Sequence, residues 1–208
     1  MPVPAGPSVN LVATRGDVVP GEPWLLVGAH LDTVPQAPGA EDNASGIGVL
    51  LATAEALAGH GTRLPVVLVA FGSEEPRGRS DADHHYGSVA YVAALDRSER
   101  RSLRGMLALD RVGVGDTVPI GSPEADGLLR NDPVVDGLLR EGRRFDVPVV
   151  VEHGERSSDH WSFAQEGLPG VRIGGTSYAA YHQPSDLPSV VDPAQLDRAA
   201  RLVVAWLR

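Results

Sequence analysis

The sequence predicts a layered α/β domain in which helices pack against a central sheet. Short runs rich in Val, Leu and Ile alternate with longer segments of helical periodicity, a pattern typical of α/β layers rather than of sandwiches or helical bundles. The chain has 208 residues, of which 42% are hydrophobic, and a chain of that length suits one globular domain. We therefore expect one domain over residues 1–208, with residues 1–8 as an extended N-terminal segment.

Apolar runs mark the predicted strands. The run 65–71 is almost continuously apolar, as expected of a strand that is covered on both faces in a parallel sheet. Gly16-Asp17 and Pro20-Gly21 lie between the first two runs and predict a hairpin there. The predicted strands cover residues 9–14, 24–29, 65–71, 106–109, 147–151 and 170–173.

Helical spacing of apolar residues marks the predicted helices. Residues 44–58 carry few charges on any face, so this helix is expected to be mostly buried. In the last helix, Asp192 is the expected N-cap and Pro193 lies in the first turn, before a single apolar stripe. The charged cluster 97–104 is interpreted as a solvated loop. The other helices are predicted over residues 89–95, about 159–165, and 133–143 after Asp132.

Composition excludes several classes of function. Cysteine is absent, which leaves His, Asp and Glu as the expected metal ligands. The net charge is −9 and every basic residue is arginine, so no basic stripe for a nucleic acid is expected. No apolar run approaches the ~18 residues of a membrane span, and the N-terminus does not resemble a signal peptide. These features predict a cytoplasmic protein, with secretion as the alternative if the chain is a fragment.

Polar clusters follow the predicted strands, where α/β sheets place their ligand sites. His30 and Asp32 lie on the same side of a strand end, so the carboxylate is expected to orient the imidazole. Asp42 opens a helix, where it is either a cap or a ligand. Glu74 and Glu75 follow a buried strand, and such adjacent carboxylates need a cation to offset their repulsion and desolvation. One of the two can bind the metal while the other handles a proton.

Two further candidates complete a possible ligand set. Asp110 follows the strand 106–109, and His182 precedes the last helix. Together with His30, Asp42 and Glu75, they would give two zinc ions about three protein ligands each if one carboxylate bridged the ions. Open positions for water and substrate would remain, as a catalytic site requires.

These motifs resemble those of peptidase family M28, the co-catalytic zinc aminopeptidases, including the bacterial leucyl-type enzymes. The resemblance covers about residues 9–208 and has five motifs in the family order. It implies a three-layer α/β/α fold with a mixed, mainly parallel sheet. The matching segments are His30-Leu31-Asp32, Asp42-Asn43-Ala44-Ser45-Gly46, Phe71-Gly72-Ser73-Glu74-Glu75, Leu109-Asp110-Arg111-Val112-Gly113 and Tyr181-His182-Gln183-Pro184-Ser185-Asp186.

The resemblance also implies how the metal ligands are divided. His30 and Asp110 would bind one zinc, Glu75 and His182 would bind the other, and Asp42 would bridge them. Zinc is favoured over manganese or cobalt only by the resemblance, since mixed His and carboxylate sets accept several of these ions.

Further roles follow from the same resemblance. Glu74 would be the general base, and Tyr181 would donate to the oxyanion. Asp32 and Asp186 would orient the two histidines, and Asp159 would support the site from behind the ligands. The family has a cis peptide after the bridging Asp, which places one at Asp42-Asn43 in this chain. The substrates would be peptides with a free N-terminus, and candidate contacts to them are Arg156, Trp161 and Tyr178.

The chain departs from the family pattern at two places. The family usually carries an extra N-terminal segment before the first hairpin, whereas the given sequence begins almost at that point, and residues 77–85 intervene before Gly87-Ser88. His84 and His85 in that insertion are interpreted as exposed loop histidines at the rim of the site.

Three alternatives stay open. Residues 28–35 also resemble the M20 carboxypeptidases and deacylases, for which Arg111, Arg156 or Arg172 could bind a substrate carboxylate. The second alternative is a single-zinc glutaminyl cyclase, an enzyme that is built on the M28 fold. The third alternative is a metal-binding interaction domain without turnover. The oligomeric state is not indicated by the sequence.

Overall fold

The computed structural model describes residues 1–3, 6–78, 80, 83–124 and 132–208, with only the backbone described for Pro2 and Asp132. Its centre is a seven-stranded sheet with the order β3-β5-β4-β6-β9-β7-β8, and β1 and β2 form a separate two-stranded sheet. Strands β4, β5, β6 and β9 run parallel, whereas β3, β7 and β8 run in the opposite direction. The predicted mixed, mainly parallel sheet is therefore confirmed. The strands are β1 Pro2–Val3, β2 Gly6–Pro7, β3 Leu11–Arg15, β4 Trp24–His30, β5 Val66–Phe71, β6 Leu103–Asp110, β7 Val118–Ser122, β8 Val149–His153 and β9 Gly170–Gly174.

The predicted hairpin between the first two long strands is wrong. Strand β3 pairs antiparallel with β5, and β5 lies between β3 and β4. Every residue of β4 is buried while every residue of β3 is exposed. Strand β3 is an edge strand with exposed side chains, whereas β4 lies inside the sheet and is covered on both faces, as expected of a parallel strand.

Helices cover both faces of the sheet. Alternate residues of β4 point to opposite sides, so Leu25 and Val27 pack in the core beneath α1, α4 and α6. Trp24 and Leu26 lie in the second core, beneath α2 and α5. The helices are α1 Gly46–Leu57, α2 Tyr86–Ala94, α3 Arg97–Ser102, α4 Asp132–Arg144, α5 His160–Gln165 and α6 Pro193–Leu207.

Two of the helical predictions need correction. The charged cluster 97–104 contains α3, which begins with a capping box between Asp96 and Glu99. Helix α1 is not buried on all sides, since Leu51 is 65% exposed. At the last helix the prediction is confirmed, because the side chain of Asp192 accepts a hydrogen bond from the backbone N–H of Ala194.

Strand β7 was not predicted from the sequence. Its residues, Val118–Ser122, are interrupted by proline and glycine and carry no strong strand signal. Among the described residues, no helix combines the length and the hydropathy that a membrane span requires.

Candidate metal centre and active site

The candidate site lies at the carboxyl ends of the four parallel strands. His30 is the last residue of β4, and Asp110 is the last residue of β6. Glu74 and Glu75 follow β5, and His182 follows β9. All of these side chains except that of His182 are buried. Residues that are far apart in the sequence therefore meet at one edge of the sheet, as the rule for α/β ligand sites predicts.

The two carboxylate oxygens of Asp42 face two different groups of side chains. Oδ1 lies 3.2 Å from Nε2 of His30, and that nitrogen lies 3.8 Å from Oδ1 of Asp110. Oδ2 lies 3.2 Å from Nε2 of His182, and that nitrogen lies 3.2 Å from Oε2 of Glu75. Within each group the candidate ligand atoms lie within 4.8 Å of one another. One carboxylate thus joins two positions that could each hold a metal ion.

Unpaired polar atoms show that the cluster fits a cation. Among the described residues, Nε2 of His182 and Oε1 of Glu75 are buried and have no hydrogen-bond partner, which is unusual for buried polar atoms. Nδ1 of His30 lies 3.0 Å from the backbone carbonyl oxygen of Asp32. Because a carbonyl oxygen only accepts, this contact places a proton on Nδ1, so Nε2, which faces Asp42, is the nitrogen available to a metal ion. An imidazole with two carboxylates is a donor set suited to zinc or a similar divalent ion.

The carboxylates of the site repel one another strongly. Burial, and after it the charges of Asp42 and Glu74, raise the pKa of Glu75 to about 9. Burial also raises the pKa of Asp42, and the charge of Asp110 adds to this effect although His30 opposes it. A cation bound between these groups would remove the repulsion.

Two members of the cluster have shifts in the opposite direction. Burial works to raise the pKa of Asp110, but His30 and the charge of Arg111 hold it well below its usual range. Burial works to lower the pKa of His30, but the charge of Glu74 and the neighbouring carboxylates of Asp110, Asp32 and Asp42 raise it well above its usual value. The raised pKa of His30 shows how strongly negative its surroundings are, whereas the lowered pKa of Asp110 reflects the two basic side chains beside it.

The segment that carries Asp42 is anchored to the end of β6. The side chain of Asn43 donates to the carbonyl oxygen of Leu109 at 2.8 Å and accepts from the backbone N–H of Gly46 at 3.1 Å. Oγ of Ser45 donates to the carbonyl oxygen of Glu41 at 2.6 Å. The peptide bond Asp42-Asn43 is cis, as the resemblance implied.

A cavity of about 490 Å³ opens beside the cluster. Glu74 and Glu75 form part of its wall, and so does Tyr181. Arg156 and Trp161 also line it, with the guanidinium 4.8 Å from the centre of the indole ring. This cavity is large enough for an amino-acid side chain and adjoins both adjacent glutamates.

The model of peptidase family M28 matches residues 10–207. The chain belongs to peptidase family M28. It is 36% identical to the uncharacterized protein YfbL of Escherichia coli K12 over 89% of this chain and 66% of YfbL. The aminopeptidase from Aneurinibacillus sp. strain AM-1 is 28% identical, with a TM-score of 0.82, over 95% of this chain and 46% of that one.

Two further solved structures share the fold at lower identity. BSAP, a zinc aminopeptidase from Bacillus subtilis, has a TM-score of 0.82 at 23% identity over 95% of this chain and 48% of that one. A glutaminyl cyclase from an Acidobacteriales bacterium has a TM-score of 0.80 at 19% identity over 99% of this chain and 75% of that one. The chain spans 66% of YfbL and about half of each aminopeptidase.

Membership in M28 decides against the interpretation based on the M20 resemblance. Of the arginines considered for a substrate carboxylate, Arg172 is buried and pairs with Glu152 and Glu155 at 3.1 and 3.0 Å. Arg111 pairs with Asp110 at 3.3 Å. Within the described part of the chain, Arg156 makes no ion pair.

The two carboxylates expected to orient His30 and His182 make hydrogen bonds with backbone N–H groups. Asp32 accepts from the backbone N–H of Glu74 at 2.9 Å and of Glu75 at 3.2 Å, while its own carbonyl oxygen contacts His30. The carboxylate of Asp32 lies farther from the imidazole, at 3.8 Å. The carboxylate of Asp32 thus faces the loop after β5, from which the guanidinium of Arg77 also donates to it at 3.0 Å.

Like Asp32, Asp186 binds the backbone of a loop at the site. Its carboxylate accepts from the backbone N–H groups of Glu41 and Asp42, at 2.9 and 3.2 Å. No hydrogen bond joins it to His182 within the described residues. Asp186 therefore supports the segment of Asp42 rather than the second histidine of the cluster.

The expected M28 oxyanion donor, Tyr181, is part of a stack. Its ring lies 3.9 Å from the ring of His182 with an interplanar angle of 23°, and the guanidinium of Arg111 lies 4.7 Å from its centre. Burial raises the pKa of Tyr181 to about 12. Tyr178 packs edge-on against Tyr181 at 6.1 Å but is not part of the cavity wall, since its hydroxyl is buried near the charge of Asp186.

The prediction that His85 is an exposed loop residue is wrong. His85 is buried, and its Nε2 lies 3.0 Å from Oε1 of Glu74. No local sequence signal indicates this contact, because the chain must fold back from residue 77 to residue 85. Residues 79, 81 and 82 of this insertion lie outside the described residues.

Asp159, which was expected to support the site, is buried near His85 and Glu74. Burial and the charge of Glu74 raise the pKa of Asp159 to about 7.

Proposed function

We propose that this chain is a metal-dependent aminopeptidase that removes N-terminal residues from peptides with two zinc ions in its active site. The observation that carries the proposal is the position of Asp42, whose two oxygens face separate imidazole and carboxylate groups. Membership in M28 and the likeness to the aminopeptidase from Aneurinibacillus support the activity. Manganese or cobalt could replace zinc, because the donor set accepts each of these ions.

The ligands divide into two sets around Asp42. His30 and Asp110 would hold one ion, and Glu75 and His182 would hold the other. Bound divalent ions would polarise the scissile carbonyl and lower the pKa of the attacking water. Asp32 and Asp186 would keep the ligand loops in place through the backbone hydrogen bonds described above.

Glu74 is the proposed proton carrier. One of its carboxylate oxygens belongs to a group with His30 and Glu75 whose candidate atoms lie within 4.8 Å. From there Glu74 would accept a proton from water as the new C–O bond forms. It would return that proton to the leaving amine as the C–N bond breaks. Tyr181, which lines the same cavity, would donate its O–H to the carbonyl oxygen.

The acidic character of the site supports a substrate with a free ammonium group. Glu74, Glu75 and Glu155 line the cavity, and Glu155 is the one paired with a buried arginine. Glu75 would be neutralised as a metal ligand, so Glu74 is the cavity carboxylate left to attract a positively charged N-terminus. Arg156 and Trp161 offer a mixed apolar and cationic surface to the substrate side chain.

The test is to incubate the zinc-loaded protein with one set of peptides that have free, acetylated or amidated termini. Mass spectrometry then identifies the products. We expect residues to be lost from free N-termini only. Glu74→Gln should retain zinc and lose activity by about 10²-fold or more. The control is Glu166→Gln, which removes a 55% exposed carboxylate whose partner is Arg100 and should leave activity unchanged.

Other products would assign the site differently. Trimming from the C-terminus, or equal cleavage of acetylated peptides, would contradict an aminopeptidase. Loss of ammonia from peptides that begin with glutamine, without hydrolysis, would indicate a glutaminyl cyclase. Peptides that all stay intact would favour a metal-binding interaction domain.

A further inference from the structure

We infer that His85 is a positioning residue for Glu74, with its imidazole holding one carboxylate oxygen so that the other is directed to the reacting groups. The inference rests on the proposed function, in which Glu74 carries the proton. It concerns a histidine in the insertion 77–85, where this chain departs from the family pattern.

Both the side chain and the backbone of His85 contact Glu74. Nε2 of the imidazole lies 3.0 Å from Oε1 of the carboxylate. The backbone N–H of His85 donates to the carbonyl oxygen of Glu74 at 2.8 Å. The two residues are only 8% and 6% exposed, so water competes little for this contact. The N–H of Glu74 is held by Asp32 at 2.9 Å, so the residue is held at its N–H, its carbonyl and its carboxylate.

The insertion folds back so that His85 reaches Glu74. The N–H of Tyr86 donates to the carbonyl oxygen of Ser73 at 2.9 Å, next to the contact made by His85. Farther out, the N–H of Arg77 donates to the carbonyl oxygen of Asp83 at 2.8 Å. These hydrogen bonds place the start of α2 beside the loop that follows β5.

The backbone of His85 also sets it apart. It precedes α2 with a φ of 56°, in the left-handed region that favours glycine, and its side chain makes no cap hydrogen bond. Small or capping residues are usual at such a position. The imidazole does not cap α2 and contacts Glu74.

The charges around the pair favour the contact. An ionised carboxylate can only accept, so Nε2 of His85 must carry the proton between the two atoms. Burial works to lower the pKa of His85, but Glu74 and then the buried carboxylate of Asp159 raise it. Without His85, a carboxylate next to Glu75 and near Asp159 would turn away from its like-charged neighbours.

The test compares two substitutions of similar size. His85→Gln keeps an N–H donor, and His85→Met has none. We expect kcat of His85→Met to fall on the order of 10²-fold with KM within about twofold, and His85→Gln to recover at least about tenfold of that loss. Zinc content and circular dichroism should match the wild type. His60→Phe, at an exposed histidine between α1 and β5, is the control and should keep wild-type kcat. If His85→Met does not fold, His85→Leu takes its place.

Equal kcat values for His85→Met and His85→Gln in the folded, zinc-loaded proteins would overturn the inference, and so would a wild-type kcat for His85→Met. A second readout does not need turnover. In ¹⁵N spectra of histidine-labelled protein, the His85 signal should shift in Glu74→Gln and not in Glu166→Gln. An unshifted signal would overturn the inference even for an inactive protein. A wild-type protein without aminopeptidase activity, but with the shift, would contradict the proposed function alone.

Discussion

At the scale of single residues, His160 shows how burial without a charged partner selects a neutral side chain. Its Nε2 lies 3.0 Å from the backbone carbonyl oxygen of Glu155, while its buried Nδ1 has no hydrogen-bond partner in the part of the chain that the structure describes. Burial is the main cause that lowers the pKa of His160 to about 4. The imidazole is therefore neutral in the folded chain at pH values where an unfolded chain binds a proton.

The pH dependence of stability follows from this shift. Above about pH 6.5 both states are neutral, so His160 has no effect. As the pH falls from about 6.5 toward 4, the unfolded state gains a proton first, and the free energy of unfolding should fall by up to about 3 kcal/mol. Urea unfolding of the metal-free wild type and of His160→Gln, at a series of pH values, measures the effect. An identical pH dependence of the two proteins would contradict this account.

The candidate ligand residues that meet at the sheet edge are visible one by one in the sequence, whereas the contacts of the residues around them are not. His30, Asp110 and the two glutamates each follow an apolar run, so their position at a sheet edge is visible in the local pattern. The contact of His85 depends on a fold-back of the chain, which leaves no local signal. The partners of Asp32 could not be predicted either, because they depend on where the loop after β5 places its N–H groups.

At the scale of elements, the start of α1 determines how closely the helix approaches the sheet. A Cβ on Gly46 would lie 2.4 Å from Oδ1 of Asn43 and 2.6 Å from the carbonyl oxygen of Leu109. The absence of a side chain therefore allows Asn43 to connect α1 with the end of β6. The orientation of Asp42 depends on this connection, because Asp42 directly precedes Asn43 in the chain.

Gly46→Ala should reduce the free energy of unfolding by about 1–3 kcal/mol, because the new methyl group forces backbone shifts in a packed region. Gly48→Ala is the matched control, since a Cβ there meets nothing within 4 Å. The control should gain about 0.5–1 kcal/mol from the better helix propensity of alanine. Urea unfolding of the wild type and the two variants measures these differences. A Gly46→Ala protein as stable as Gly48→Ala would contradict the close approach of α1 to the end of β6.

Elements with their own start signals were predicted better than elements that depend on pairing. Asp192 and Pro193 mark the start of α6, and the observed helix begins there. The capping box of α3 was also present in the sequence, but the charged residues around it favoured a loop interpretation. The hairpin failed because turn residues show that the chain turns, without showing which strand it pairs with.

At the scale of the whole molecule, the parallel strands explain why one site can be built from residues 30 to 182. Strands β4, β5, β6 and β9 are neighbours in the sheet and end at the same edge. The sequence predicts the class of this sheet from its alternating pattern. It does not predict the strand order, because that order depends on non-local pairing between strands that are far apart in the chain.

The central claim is that Asp42 joins two metal positions. Native mass spectrometry of the zinc-loaded protein measures this most directly, with Asp42→Asn as the variant and Asp197→Asn, a 66% exposed partner of Arg201 on α6, as the control. We predict two zinc ions per chain for the wild type and the control, and at most one for Asp42→Asn. A wild-type chain that binds a single ion at saturating zinc, or an Asp42→Asn chain that still binds two, would contradict the account.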